Sequence, residues 1–170
     1  MTARWSPSVT VAAVIADDGA VPRFLLVEEE TPEGLRLNNP AGHLEPGETP
    51  LEGVVREALE ETARAFVPEA LLGLYLSRFL RPARPGRDAE DVTYLRIAYR
   101  GRVGEPLPGR ALDREIVRTL WLTGDEIRAA QARHRSPLVM RCIDDHLAGR
   151  ALPLDAIQAD ASIATPWRLG

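Results

Sequence analysis

The chain has 170 residues, 45% of them apolar and 27% charged, enough for one packed domain and too apolar for a disordered segment. One cysteine, Cys142, excludes an internal disulfide framework and a cysteine-based zinc knot. The charge is 21 positive against 25 negative, all 21 cations are arginine, and no lysine occurs. That argues against general nucleic-acid binding and excludes a P-loop or Schiff-base lysine. No stretch of eighteen apolar residues is present, so no membrane span is expected. The first seven residues lack a signal-peptide core, which points to a cytoplasmic protein.

The first apolar run, Ser8 to Ile15, is rich in β-branched residues and stops at Asp17-Asp18-Gly19. It predicts a strand and a turn, then a second strand over Arg23 to Glu28. Glu28 to Gly34 reads as a loop, and Leu35 to Asn39 as a short strand ending at Pro40. Thr49, Pro50 and Glu52 form a helix start, with an N-cap, a proline at the first turn and a capping-box glutamate. That helix is expected to run through Arg64. Leu71 to Leu80 and Asp91 to Tyr99 read as strands, with Arg81 to Arg87 as the loop between them. Glu115 to Leu122 predicts another strand. Thr123-Gly124-Asp125-Glu126 opens a second helix, and Ser136-Pro137 a third that ends near Gly149. The element order fits an α+β fold, an α/β/α sandwich with a mixed sheet flanked by helices. A single domain is expected, with a core over residues 8–150 and a tail over 151–170.

The helix after Thr49 carries the chemistry. At 100° per residue, Leu51, Val54, Val55, Ala58, Leu59, Thr62 and Ala65 share an apolar arc. Glu57, Glu60 and Glu61 fall on the other side with Gly53, and only Arg64 is expected to share it. Each pair of like charges about 6 Å apart costs roughly 3 kcal/mol at an effective dielectric near 20. An open surface would screen that cost. An enclosed site would need cations, and Mg²⁺ or Mn²⁺ suits an all-oxygen donor set.

The segment before the helix makes the pattern specific. Gly42, five residues, Glu48, seven residues, then Arg56-Glu57-Ala58-Leu59-Glu60-Glu61-Thr62-Ala63-Arg64 resembles the box of the Nudix hydrolase family. Two positions depart, since Ala63 stands where that box has glycine and Arg64 where it has an apolar residue. A left-handed alanine is costly, so the helix is expected to extend toward Phe66 before Pro68 stops it.

The resemblance implies that Glu57, Glu60, Glu61 and the Gly42 carbonyl hold divalent metal, Mg²⁺ or Mn²⁺. It implies that Arg56 orients the carboxylates and that Glu48 holds the loop–helix–loop shape. The implied reaction is attack by water on a phosphorus of a small pyrophosphate compound. Glu57 and Glu61 are candidates for the general base. Outside the box Glu115 is the leading candidate, with Glu105 and Asp113 behind it. His43, Arg23 and Arg135 are candidate substrate contacts, and Arg36, Arg78 and Arg96 are further arginines able to meet phosphate. Tyr75, Phe79, Tyr94 and Trp121 are candidate stacking platforms, each also a candidate core residue. His134 and His146 read as surface or helix-end residues, and Cys142 as core.

Val9 to Ala12, Phe24 to Thr31, Asn39 to Glu45 and Arg135 to Val139 resemble the NudJ branch of the family. That branch implies activity on nucleoside tri- and diphosphates and thiamin-related pyrophosphates, with phosphate release. Other specificities remain open: dinucleoside polyphosphates, nucleotide sugars, RNA 5′ ends, or a non-catalytic binding module. Both a monomer and a homodimer are compatible with the sequence.

Overall fold

The computed structural model describes residues 5–83, 86 and 88–164; residues 84, 85 and 87 of the expected 81–87 loop, and the end of the expected tail, lie outside the described residues. Seven strands and three α-helices follow one another as β1 (Ser8–Ile15), β2 (Arg23–Thr31), β3 (Gly34–Asn38), β4 (Ala41–His43), α1 (Pro50–Thr62), β5 (Phe66–Arg81), β6 (Glu90–Val103), β7 (Ile116–Thr123), α2 (Gly124–Ala129) and α3 (Leu138–Leu147). The larger sheet has the order β4-β1-β6-β5, and the smaller one β3-β2-β7. Within the larger sheet β1 and β6 run parallel and the other pairs are antiparallel. The mixed sheet between helices is the expected α+β sandwich.

Alternation along β1 explains the layering. Val11, Ala13 and Ile15 pack with Val54 and Ala58 of α1, while Ala12 and Val14 pack with Val139, Cys142 and Ile143 of α3. A strand covered on both faces has no reason to alternate polar and apolar, so its sequence reads as one apolar run. The smaller sheet does the same, with Leu25 on the α1 side and Phe24 and Leu26 on the α3 side. Among the described residues no helix is long and apolar enough to cross a membrane.

Several expectations are corrected. β2 continues through Glu28-Glu29-Glu30 to Thr31, so these glutamates belong to a strand and not a loop. The reversal is a tight turn closed by Gly34 at φ 96°, where a side chain would be strained. β5 starts at Phe66 and takes Pro68 into its first residues, beyond the expected bounds. α1 does not extend toward Phe66, because Ala63 itself adopts the left-handed conformation, φ 54° and ψ 25°, and caps the helix. Its N–H still reaches Leu59 O, while the freed carbonyls of Glu60 and Ala63 accept from Asp113 N and Leu107 N. Amides from the segment after β6 therefore finish the helix in place of a glycine. The helix starts where expected, with both halves of the capping box between Thr49 and Glu52 and Pro50 at its first turn.

Candidate functional site

Crossing from β3 to β4 through Asn39-Pro40, the chain leaves the smaller sheet for the larger. At that crossing a cavity of about 410 Å³ opens, lined by Gly42, His43, Glu57, Glu61, Tyr94 and Arg96 among others. Helix α1 forms one wall. Gly53, Glu57 and Glu61 follow each other at four-residue spacing and are all buried. The acidic stripe is thus not an open face opposite the core, since β4 and the Glu48 carboxylate close over it. A Cβ on Gly53 would stand 2.8 Å from Glu48 Oε1, and one on Gly42 would stand 2.1 Å from Glu57 Oε1. Glycine at 42 is what lets strand and carboxylate share that space.

Arg56 organises the carboxylates. Its Nε and Nη2 donate to the two oxygens of Glu48 at 2.9 and 2.7 Å, and Nη1 donates to Glu57 at 2.8 Å and Glu60 at 3.0 Å. Nη2 also reaches the His43 carbonyl at 3.1 Å. A guanidinium one residue before Glu57 and one turn before Glu60 reaches both, so Arg56, and not Arg64, is the cation of this face. Arg64 turns away to the Gly104 carbonyl at 2.7 Å. Bonding to Arg56 also holds the Glu48 carboxyl below its usual range. Glu48 in turn accepts from Glu45 N at 2.8 Å, which ties the loop to the helix.

Glu61 accepts from Ala41 N at 2.8 Å. Burial pushes its carboxyl up to about 9, against that amide bond and with help from Glu57, Glu29 and Asp113. Burial also raises Glu57, against Arg56. Two buried carboxylates that resist ionisation, facing one cavity with no apolar contact to gain, are the arrangement a cation would relieve. The donor set is all oxygen, which fits Mg²⁺ or Mn²⁺ rather than a softer ion. Among the described residues no three acidic, His or Cys side chains converge as ligands. Arg56 pairs with Glu60, which lies outside the cavity lining, while Glu57 and Glu61 line it.

The structure brings Asp113, Glu115, His43 and Arg135 to the same cavity. Glu115 is exposed at the mouth just before β7. Arg135 pairs with Glu29 at 3.3 Å. Glu105 is 97% exposed and does not line the cavity. Arg23 does not line it either, being bound to Asp17 at 2.9 Å beside the β1–β2 turn. Arg36 reaches the Ala132 carbonyl at 3.2 Å and Arg78 pairs with Asp91 at 2.5 Å, both outside the lining. Phe79 and Tyr94 line the cavity and stack on each other, whereas Tyr75 is buried against Asp145 and Trp121 packs on the core. Cys142 is buried in the core as expected; His146 stands in the last turn of α3, a helix-end residue as expected, half-buried with its ring edge-on to Phe24.

Several lining residues escape a reading of the sequence, Glu29, Asn38 and Thr10 among them. Glu29 turns into the cavity at an irregularity of the β2–β7 ladder, where the register shifts between Glu28 and Glu29. Burial raises its carboxyl, opposed by Arg135. Asn38 and Thr10 line the floor and carry no motif. The only available signal was polarity inside otherwise apolar strands.

Known proteins give the same geometry a context. The NUDIX domain pattern matches residues 6–142. Phosphatase NudJ of Escherichia coli strain K12 and its Shigella flexneri counterpart are each 31% identical over 153 residues, covering 90% of this chain and 92% of theirs. A solved NUDIX hydrolase from Nitrosomonas europaea is 48% identical, with a TM-score of 0.77 over 91% of this chain and 98% of its own. The MutT NUDIX hydrolase from Burkholderia pseudomallei shares the fold at 21% identity, with a TM-score of 0.61 over 83% of this chain and 98% of its own. Members of this family generally use divalent metals. With the pattern spanning most of its length and the acidic helix folded into the cavity, the chain belongs to the Nudix hydrolases and acts on pyrophosphate bonds.

Proposed function

We propose that the chain hydrolyses nucleoside tri- and diphosphates and thiamin-related pyrophosphates in the cytoplasm, releasing orthophosphate with Mg²⁺ or Mn²⁺ as its ion. The likeness to proteins named phosphatase NudJ supports the choice of bond. The observation that carries the reading is the buried pair Glu57 and Glu61 facing one cavity beside Gly42.

In this reading Glu57, Glu61 and the Gly42 carbonyl hold the ion, with Glu60 as the outlying member outside the cavity lining. When bound, the ion neutralises phosphate oxygens and lowers the pKa of a water. Arg56 fixes the rotamers of Glu57 and Glu60, and Glu48 fixes Arg56. Glu61 is held in place by the Ala41 amide, and the burial that raises its carboxyl is what a bound cation would offset. Glu115 and Asp113 stand at the mouth as acceptors for the proton of an attacking water. His43 and Arg135 line the cavity that admits the substrate, while Arg23 takes no part.

Phosphate release from a panel of nucleoside tri- and diphosphates and thiamin pyrophosphate tests this, with and without Mg²⁺ and Mn²⁺. Glu61→Gln keeps the amide bond and shape but loses the charge. It should fold normally and lose about 100-fold or more in kcat. Turnover at the native rate by this variant would remove Glu61 from the chemistry and leave a binding role.

A further inference from the structure

Register lays out the sheet face that meets the cavity. Across β4, β1, β6 and β5 the residues side by side are His43, Thr10, Arg96 and Tyr75. One row inward they are Ala41, Ala12, Ala98 and Gly73, all small; Ala12, Ala98 and Gly73 are buried in the core and Ala41 is half-buried at the cavity wall. In the outward rows Tyr94 pairs with Ser77 and Val92 with Phe79. Arg96 therefore stands at the boundary, with core behind it and rings in front.

Arg96 is only 7% exposed and lines the cavity. Its Nη2 lies 3.4 Å from Asn38 Oδ1, longer than an ordinary N–H···O bond. Among the described residues its Nη1 has no hydrogen-bond partner. Burial works against its charge, and the neighbouring Cys142 side chain, then Glu29 and Glu61, support it. A buried guanidinium with an unused N–H is expensive to maintain, because its lost hydration is not replaced. An acceptor arriving with a ligand would replace it.

The surroundings say what kind of acceptor. A phosphate seat would gather further cations, yet Arg135, the other arginine of the lining, is committed to Glu29. Beside Arg96 stands a wall of rings instead. Phe79 stacks on Tyr94 at 5.6 Å and 11°, and His43 meets the same Tyr94 ring at 6.0 Å. One directional donor against an aromatic wall is the pattern of a seat for a flat ring.

We infer that Arg96 is the specificity residue of this cavity, its Nη1 donating to an acceptor on the edge of a planar heterocycle that rests against His43, Tyr94 and Phe79. Asn38 is its positioning residue, with its amide oxygen 3.4 Å from Arg96 Nη2 and its side chain beside the Glu29 carboxyl. The inference rests on the cavity being the substrate site proposed above, and it names the part of the substrate away from the phosphates.

Uncharged nucleosides test it without metal or phosphate. Wild-type protein, Arg96→Met, Arg96→Lys and Asn38→Ala are titrated with inosine in chelator and followed by calorimetry or ligand-observed NMR, with ribose as the ring-free control. Inosine should saturate the wild type and ribose should not. Arg96→Met should weaken inosine about 10- to 100-fold, the range of one hydrogen bond to a charged group, with partial rescue in Arg96→Lys and a smaller loss in Asn38→Ala. Failure of inosine to saturate the wild type overturns the inference, and so does equal binding by Arg96→Met. Thermal melts report folding. If Arg96→Met does not fold, Arg96→Lys and Asn38→Ala decide by the same criterion. The hydrolase reading fails differently, through absence of phosphate release from every compound in the metal-containing assay while inosine still binds.

Discussion

Gly42 and Glu57 occupy a space that holds one side chain. A Cβ at position 42 would lie 2.1 Å from one Glu57 carboxylate oxygen and 2.3 Å from the other. Both are the far end of a flexible side chain, so the fold can accommodate the methyl group by turning Glu57 away. That turn would break the 2.8 Å bond from Arg56 and leave the carboxylate outside its place in the cavity. Gly42→Ala is therefore expected to melt within a few degrees of the wild type and to lose about 10- to 100-fold in kcat/KM, the cost typical of misplacing a ligand's support. Initial rates and a thermal melt on the same preparation check both halves. A native rate would mean that the position of Glu57 is irrelevant to turnover.

Helix α1 shows which parts of an element are written locally. Its start depends on Thr49, Pro50 and Glu52 alone, so the sequence pattern locates it to the residue. Its end depends on amides from Leu107 and Asp113, more than forty residues away, and nothing near Ala63 announces them. The three-residue β4 is likewise invisible, because its partner is β1 and its sequence, Ala41-Gly42-His43, has no strand propensity. Ala63 stays left-handed at a steric cost of about 1–2 kcal/mol, which glycine would avoid at some loss of chain entropy. Ala63→Gly should stabilise the protein by about 0.5–1 kcal/mol. At 2–4 °C per kcal/mol for a chain of this length, a thermal melt should move up by about 1–4 °C. An unchanged or lower midpoint would show that the loop, and not the alanine, sets the strain.

Across the whole molecule, the two sheets and α3 assemble what no segment of sequence contains. The acidic half of the site was legible because its residues lie on one helix at fixed spacing. Of the other half, Arg96, Tyr94 and Phe79 stood only among undifferentiated candidates and Asn38 and Glu29 not at all, since they meet only through strand register between distant segments. One arginine among 21 carries no mark of its burial. The same non-local packing governs His146. It sits on α3 with its ring edge-on to Phe24 of β2, at 5.2 Å and 87°, and its Nδ1 is buried without a partner. Burial lowers its pKa to about 4, Arg100 pushes the same way and Glu69 opposes. In the unfolded chain a histidine titrates near 6.5. Below that pH the unfolded state takes up a proton that the folded state refuses until about pH 4. The stability His146 contributes is thus present above about 6.5 and lost as the pH falls toward 4. The shift corresponds to at most about 3 kcal/mol, and to about 1–2 after allowance for solvent around a partly exposed ring. His146→Gln removes the titration, so denaturant melts of both proteins from pH 7.5 to 4.5 should show the wild type losing stability faster. A constant gap between the two curves over that range would clear His146 and leave the carboxylates as the acid-sensitive groups.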